Sequence, residues 1–422
     1  MILYGKNINN KNNRGTKPSV FLAIGICIIT FLFLFVPMYT SVWVILLLII
    51  DILYISIERN IKIKINLSTT LWYLFIFLGI ASMTWSNSNL FEGVKYVVSL
   101  AIFYLNYILL SANKNWCDTL INILFLISSF FMLGSILQMI APDYVLEINK
   151  LHLNDSQFDI ARGMFRDGFI VGFTYQTGIN GYIISMFMAI ILMKISIYKK
   201  RKIKLLLIIM YILAFYLLFM TGKRGFILFN IIVFLFFIIK LSKYKFRAFI
   251  PIILFIFMNL LMLSYTEVGN RIVRRTIMNN DISTGRWRMA KLMWYDFLDS
   301  PIIGNGIYTT IDTVNAYHGH NIYLQVLRET GLLGFIPFIC IIVFSLFSSI
   351  VLLNNTKNSK LYRYIVGFSL YMQIIFIFWG VTGNPLYDLY ALLVYFISIA
   401  IIAAVKNDIE TGISFKVPEL KK

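Results

Sequence analysis

The sequence predicts an all-α fold: a polytopic integral membrane protein of about 12 transmembrane helices with two large extracytoplasmic loops. Three observations carry this. Mean hydropathy is +0.79, with 59% hydrophobic and only 14% charged residues. Apolar runs of about 20 residues recur along the chain, the length needed to cross a bilayer as helix. Lysine and arginine are divided unequally between alternate connections. Helices rather than open sheet follow because a lipid-exposed backbone must satisfy its own hydrogen bonds.

The apolar segments, in order, are 19–36, 41–57, 69–83, 93–110, 120–140, 178–193, 203–220, 225–239, 249–264, 331–353, 364–381 and 386–405. The third and eighth are short. The polar, basic start, residues 1–18, is too long for an ordinary signal peptide and reads as a cytoplasmic tail. Residues 406–422 read as a second one. With both termini inside, the inner connections and tails hold 25 of the 38 Lys and Arg residues. The short outer turns hold none, as the positive-inside rule requires. The net charge of +19 is therefore explained by topology and does not call for nucleic acid. Cys27, Cys117 and Cys340 lie outside the large loops, so no disulfide framework is implied.

The outer face then breaks the charge rule. It comprises loop 141–177, the tight turn Thr221 to Gly225 (TGKRG) and loop 265–330. These segments carry nine arginines against three lysines: Arg162, Arg166, Arg224, Arg271, Arg274, Arg275, Arg286, Arg288 and Arg328. All three histidines (His152, His318, His320) fall there too. Lysine suffices for topology, whereas arginine adds a planar fork that grips phosphate oxygens in pairs. The cluster suggests a membrane-bound phosphate or diphosphate. The alternatives are pairing with the loop acids Asp281, Asp296, Asp299 and Asp312, or contact with lipid headgroups. Arg224 opens the eighth span, where helix N-terminal amides favour an anion; an interfacial anchor is the other reading.

His320 precedes the stretch NIYLQVLRE, with Asn321 as N-cap and Gly331 as a stop. An imidazole at a helix entrance suits proton acceptance near neutral pH, although a loop histidine is also often simply solvated. A His318–His320 metal pair lacks a third ligand by spacing, so no metal or other cofactor is expected. The chain has no Walker loop, dinucleotide fingerprint, HExxH or GxSxG. Nucleotide chemistry is thus disfavoured, and an outer-face enzyme would need an already activated substrate. Charged residues are too sparse inside the spans for a typical ion-coupled transporter.

These residues resemble a known family, the bacterial O-antigen polymerases and O-antigen ligases. His320 and Asn321, then nine residues, then Gly331 and Gly334 three residues apart, are similar to that family's histidine motif. STGR (283–286, with Gly285 and Arg286), SPIIGNG (300–306) and the histidine follow in the family's order. TGKRG resembles its arginine turn, and Arg288 followed by Leu292 is similar to a ligase arginine motif. Two large outer loops with the spacings Arg162 to Gly178 and Arg274 to Gly285 look more like the polymerases.

The resemblance implies a metal-independent glycosyltransferase in the bacterial cytoplasmic membrane, with its active site on the outer face. It would polymerise undecaprenyl-diphosphate-linked oligosaccharide repeat units into O-antigen or capsule. Alternatives are ligation of the lipid-linked glycan to lipid A–core or protein, or, in another class, a flippase; cations concentrated in loops rather than in an interior path argue against the last. The implied roles are His320 as base and Arg162, Arg166, Arg224, Arg274, Arg286 and Arg288 on the diphosphate. Tyr308, Tyr317, Trp287 and Trp294 would offer surfaces for sugar stacking, or serve as loop packing and interfacial anchors. The implied partners are the acceptor glycan, membrane lipid, a chain-length regulator and a flippase.

Overall fold

The computed structural model describes residues 16–58, 61, 64–86, 90–241, 257, 259–278, 285–310, 319–356 and 358–410. Among these there is no strand. The helices are α1 (Thr16–Phe35), α2 (Thr40–Ile57), α3 (Leu67–Ser82), α4 (Leu90–Ser111), α5 (Cys117–Ile140), α6 (Pro142–His152), α7 (Asp155–Arg166) and α8 (Thr177–Ile197). They continue with α9 (Arg201–Met220), α10 (Arg224–Leu241), α11 (Glu267–Met278), α12 (Arg286–Asp299), α13 (Ile322–Asn355), α14 (Lys360–Thr382) and α15 (Leu389–Glu410).

Nine of the described helices are long and apolar enough to cross a membrane: α1, α2, α4, α5, α8, α9, α13, α14 and α15. The chain is a multi-pass helical membrane protein. Of the other three expected segments, α3 is apolar but only 16 residues long. α10 is an 18-residue apolar helix that starts at Arg224 and carries Lys240 in its last turn. Segment 249–264 lies largely outside the described residues, as do His318, Tyr317, Asp281 and Asp312.

The helices pack as a ring around a core. In order of contact the ring runs α2, α1, α5, α8, α9 and α10, α14, α13, α3, α4 and back to α2. Helix α15 fills the centre against α4, α14, α1 and α13. Accordingly α15 is buried almost throughout from Tyr390 to Val405, and α8 from Ile179 to Met193. A helix apolar on every side belongs in such a position. Outer helices turn aliphatic side chains outward, such as Ile45 and Ile52 on α2 and Leu205 and Ile209 on α9.

Because lipid offers no hydrophobic drive between helices, packing and interhelical hydrogen bonds hold them together. Asn230 on α10 donates to Ser185 on α8 at 2.8 Å and accepts from Tyr371 on α14 at 2.6 Å. Asn180 on α8 donates to Ser135 on α5 at 3.0 Å. Asn106 on α4 donates to the buried Asp51 on α2 at 2.8 Å.

The segments read from sequence as large loops contain helices. α6 and α7 lie within 141–177, α11 and α12 within 265–330. α7 starts on a capping box in which Asn154 accepts from the Gln157 amide at 2.8 Å. Gln138 of α5 then fixes the following segment. Its oxygen accepts from the Val171 and Gly172 amides, and its nitrogen donates to the Phe169 carbonyl. That segment lies on the α9–α10 turn, since a Cβ on Gly222 would strike the Phe169 ring at 2.3 Å. Both helical segments thus sit at one end of the bundle, beside the TGKRG turn.

Candidate active site at the head of helix α13

Helix α13 is kinked at Gly331, where φ is 60° and ψ −164°. Residues 322–330 form a short helix set against the long span beyond. A kink frees carbonyls before it and amides after it, which must find partners when buried. The SPIIGNG segment supplies them. The Asn305 and Gly306 amides donate to the Arg328 and Glu329 carbonyls, both at 2.9 Å. The Leu332 and Leu333 amides donate to the Pro301 and Ile302 carbonyls at 2.9 and 3.1 Å. A Cβ on Gly331 would lie 2.3 Å from the Ile302 oxygen, so backbone approach and left-handed φ both demand glycine here. Gly334 packs as closely on Thr330 of the preceding turn. The glycines of the histidine motif therefore serve the kink, and SPIIGNG is its complement.

The short helix begins on Asn321, whose side chain accepts from the Tyr323 and Leu324 amides at 3.0 and 3.1 Å. Just before it stands His320, half-buried, in the left-handed region at φ 52°. A non-glycine residue held there is strained, and such strain concentrates at functional sites. Gly319 is pressed against Met293 of α12, leaving no room for a Cβ. Its amide donates to Gln325 at 3.3 Å. Among the described residues no hydrogen bond engages the His320 ring.

Burial, then the charges of Arg286 and Lys223, hold the His320 imidazole below its ordinary pKa. Arg286 opens α12 after Gly285, which adopts φ 86°. Desolvation and the Arg224 charge depress Arg286 in turn. Lys223, half-buried in the TGKRG turn, is lowered by burial and by Arg286. Lys223, Arg224, Arg286 and His320 thus form one cationic group at the starts of α10, α12 and α13. Helix N-terminal amides add to the positive potential there. Groups pushed from their ordinary pKa by burial and like charge mark candidate functional sites.

The remaining expected residues divide. Arg162 and Arg166 on α7, Arg274 on α11 and Arg288 on α12 are exposed, as Arg224 and Arg286 are, but no mutual electrostatic influence ties them to His320. Arg271 of α11 pairs with Glu267 at 3.7 Å and lies against Gly168, joining the two helical segments. Arg328 is structural. It is 2% exposed and binds Asp296 at 2.8 Å, Thr310 at 3.0 Å and Thr309 at 3.1 Å. His152 is structural too, stacked 4.1 Å from Phe35 and bonded to the Ile148 and Phe173 carbonyls. Tyr308 lines a cavity described below, whereas Trp287 and Trp294 stand exposed on α12. Among the described residues no three His, Cys, Asp or Glu side chains are grouped to hold a metal.

Sequence reasoning did not single out Lys223 or Glu329. Glu329 is fully buried and accepts from the Tyr308 amide, Thr310, Gln325 and the Tyr387 hydroxyl. It locks the short helix to two neighbouring segments.

Residues 209–339 match the family model described as O-antigen ligase. The match supports placing the chain in the O-antigen ligase and polymerase family. This O-antigen ligase region runs from within α9 to the first turns beyond the Gly331 kink, so it includes Lys223, Arg224, Arg286, His320 and Glu329. No curated protein matches the chain.

Proposed function

We propose that this protein is a glycosyltransferase that polymerises undecaprenyl-diphosphate-linked repeat units into surface polysaccharide. It would act at the outer face of the bacterial cytoplasmic membrane with both termini inside. The observation that carries the reading is His320, strained and half-buried, beside Lys223 and Arg286.

In this reading the cations hold the donor's diphosphate. The acceptor hydroxyl oxygen attacks the anomeric carbon, and the bond from that carbon to the diphosphate oxygen breaks. His320 takes the hydroxyl proton, and the diphosphate leaves on its lipid with the bonding electrons. Direct displacement inverts the anomeric carbon. The fixed cations stabilise charge growing on the leaving group, and a positioned base contributes about 10²–10⁴-fold. The same cations also tune the base. Together with burial they hold the His320 imidazole below its ordinary pKa; a bound diphosphate offsets their charge and makes the imidazole more basic when the acceptor arrives.

Polymerisation is favoured by the two Arg-to-Gly spacings, whose glycines lie at the cluster. Gly178 abuts Lys223 and Gly285 precedes Arg286. Ligation to a lipid or protein acceptor has the description of the matched family model on its side. The surface glycan ladder separates the two in cells lacking the gene, complemented with wild type or His320→Ala. Polymerase predicts a single repeat unit on the acceptor, with the ladder restored by wild type alone. Bare acceptor with lipid-linked polymer accumulating would make it a ligase, and a ladder restored by His320→Ala would remove the base.

A further inference from the structure

Beside the cation cluster lies a cavity of about 240 Å³ that the transfer step does not use. Its walls include Tyr96, Tyr175, Tyr308, Tyr387, Tyr390 and Asp388. These come from α4, the segment before α8, the residues just after SPIIGNG, the α14–α15 connection and the first turn of α15. Two of the rings are held rigidly. Tyr96 and Tyr387 stack at 4.8 Å, and their hydroxyls donate to the Leu386 carbonyl at 3.3 Å and to Glu329 at 2.5 Å. Tyr308 packs against both and is held at φ 65°. Fixed aromatic faces around a polar cavity suit a ligand with an apolar C–H face and a rim of hydroxyls.

The charges are unequal. Glu92 is paired with Lys95 at 2.7 Å. Asp388 is half-buried, and among the described residues no hydrogen bond or ion pair engages its carboxylate. Burial pushes that carboxyl up to about 7. A carboxylate in this position accepts hydroxyl or amide hydrogens and repels anions. A diphosphate or an acidic sugar is therefore disfavoured where a neutral sugar is welcome. The cavity also adjoins the transfer site. Tyr175 lies three residues before Gly178, which touches Lys223, and Tyr308 and Tyr387 share Glu329 on the His320 helix.

We propose that this tyrosine-walled cavity is a saccharide subsite that selects neutral or N-acetylated sugars over acidic ones, with Asp388 accepting the sugar's hydroxyl or amide hydrogens. It rests on the glycosyl-transfer reading for which glycan the sugar belongs to; the test below reads binding alone.

Saturation-transfer NMR on the full chain in lipid nanodiscs at pH 8 would use glucose, galactose, N-acetylglucosamine, N-acetylgalactosamine and glucuronic acid as probes. The expected result is binding of at least one neutral sugar and no binding of glucuronic acid. Asp388→Asn should weaken binding about tenfold, the loss of one charged hydrogen bond. Glu147→Gln, an exposed carboxylate change on α6, should leave it intact. Ser41→Trp, which fills the cavity from its exposed rim, should abolish it and serves if Asp388→Asn does not fold. The proposal is overturned if no panel member binds, if glucuronic acid binds as well as the neutral sugars, or if binding survives Asp388→Asn or Ser41→Trp. A ladder that depends on His320 with no sugar binding would sink the subsite alone; selective binding without a His320-dependent ladder would sink the transferase reading alone.

Discussion

Two charged groups meet at the short helix 322–330, one within it and one at its head, and their surroundings are opposite. Arg328 is buried and fully engaged by Asp296, Thr309 and Thr310. Lys223 and His320 are half-buried, and the charges that act on them are of their own sign. A buried charge that is paired and hydrogen-bonded secures a fold. A crowded one that meets like charge costs stability and is kept for a ligand of the opposite sign. The contrast sets Arg328, held in a structural role, against Lys223, Arg286 and His320, the candidate site, although charge alone does not distinguish them.

The largest expected effect tests the structural side. Arg328→Ala empties a buried position, removes three hydrogen bonds to a charged group and leaves Asp296, 32% exposed, unpaired; it should destabilise the protein by about 3–5 kcal/mol. Thermal unfolding in detergent, or loss of folded protein on size exclusion, reads this. Glu329→Gln should cost less, about 1–3 kcal/mol, because an amide nitrogen would face donors that now meet a carboxylate. An unchanged melting temperature for either would dissolve the contrast.

The site side predicts the reverse for stability. Arg286→Ala and Lys223→Ala remove repulsion, so the melting temperature should hold or rise slightly. They should also change the pH profile of transfer. His320 is held below its ordinary pKa, so the acid limb of kcat/KM, which reports the free enzyme, should lie below pH about 6.5. Removing either cation should move that limb to higher pH. In wild type the acid limb of kcat should lie above that of kcat/KM, because bound diphosphate offsets the cations. Coincident limbs, or a limb that moves downward in Arg286→Ala, would contradict the tuning.

Much of this was legible in the sequence where function rests on a local pattern. Apolar runs marked the spans, the TGKRG turn marked the start of α10, and Asn321 and Gly331 marked the two ends of the short helix. Helix boundaries were less legible. α1 begins at Thr16 and α15 runs to Glu410, because backbone hydrogen bonds carry a helix past its apolar residues. α6 and α7 escaped notice because capping by Asn154 and docking on Gln138, rather than apolar periodicity, hold them in place.

The candidate site proposed here draws on residues the sequence pointed to and on others it did not. Arginine chemistry pointed to Arg162, Arg166, Arg274 and Arg288, yet no electrostatic influence ties these to His320, whereas Arg286, exposed like them, acts on it. Lys223 stood in the same turn as Arg224, but nothing in the five residues of that turn tells which side chain turns inward. Glu329, Asp388 and the tyrosines around the cavity come from segments far apart in the chain. Only the ring of helices brings them together.

The central claim is that the crowded cations act on transfer and the paired one on folding. The most direct test is the initial transfer rate per folded molecule, measured for Arg286→Ala beside Arg328→Ala with lipid-linked repeat units. The account predicts a rate about 10²–10³-fold below wild type for Arg286→Ala, the cost of removing one preorganised charge-stabilising group, and a near-normal rate for whatever Arg328→Ala folds. A near-normal rate for Arg286→Ala, or a dead but fully stable Arg328→Ala, would contradict it.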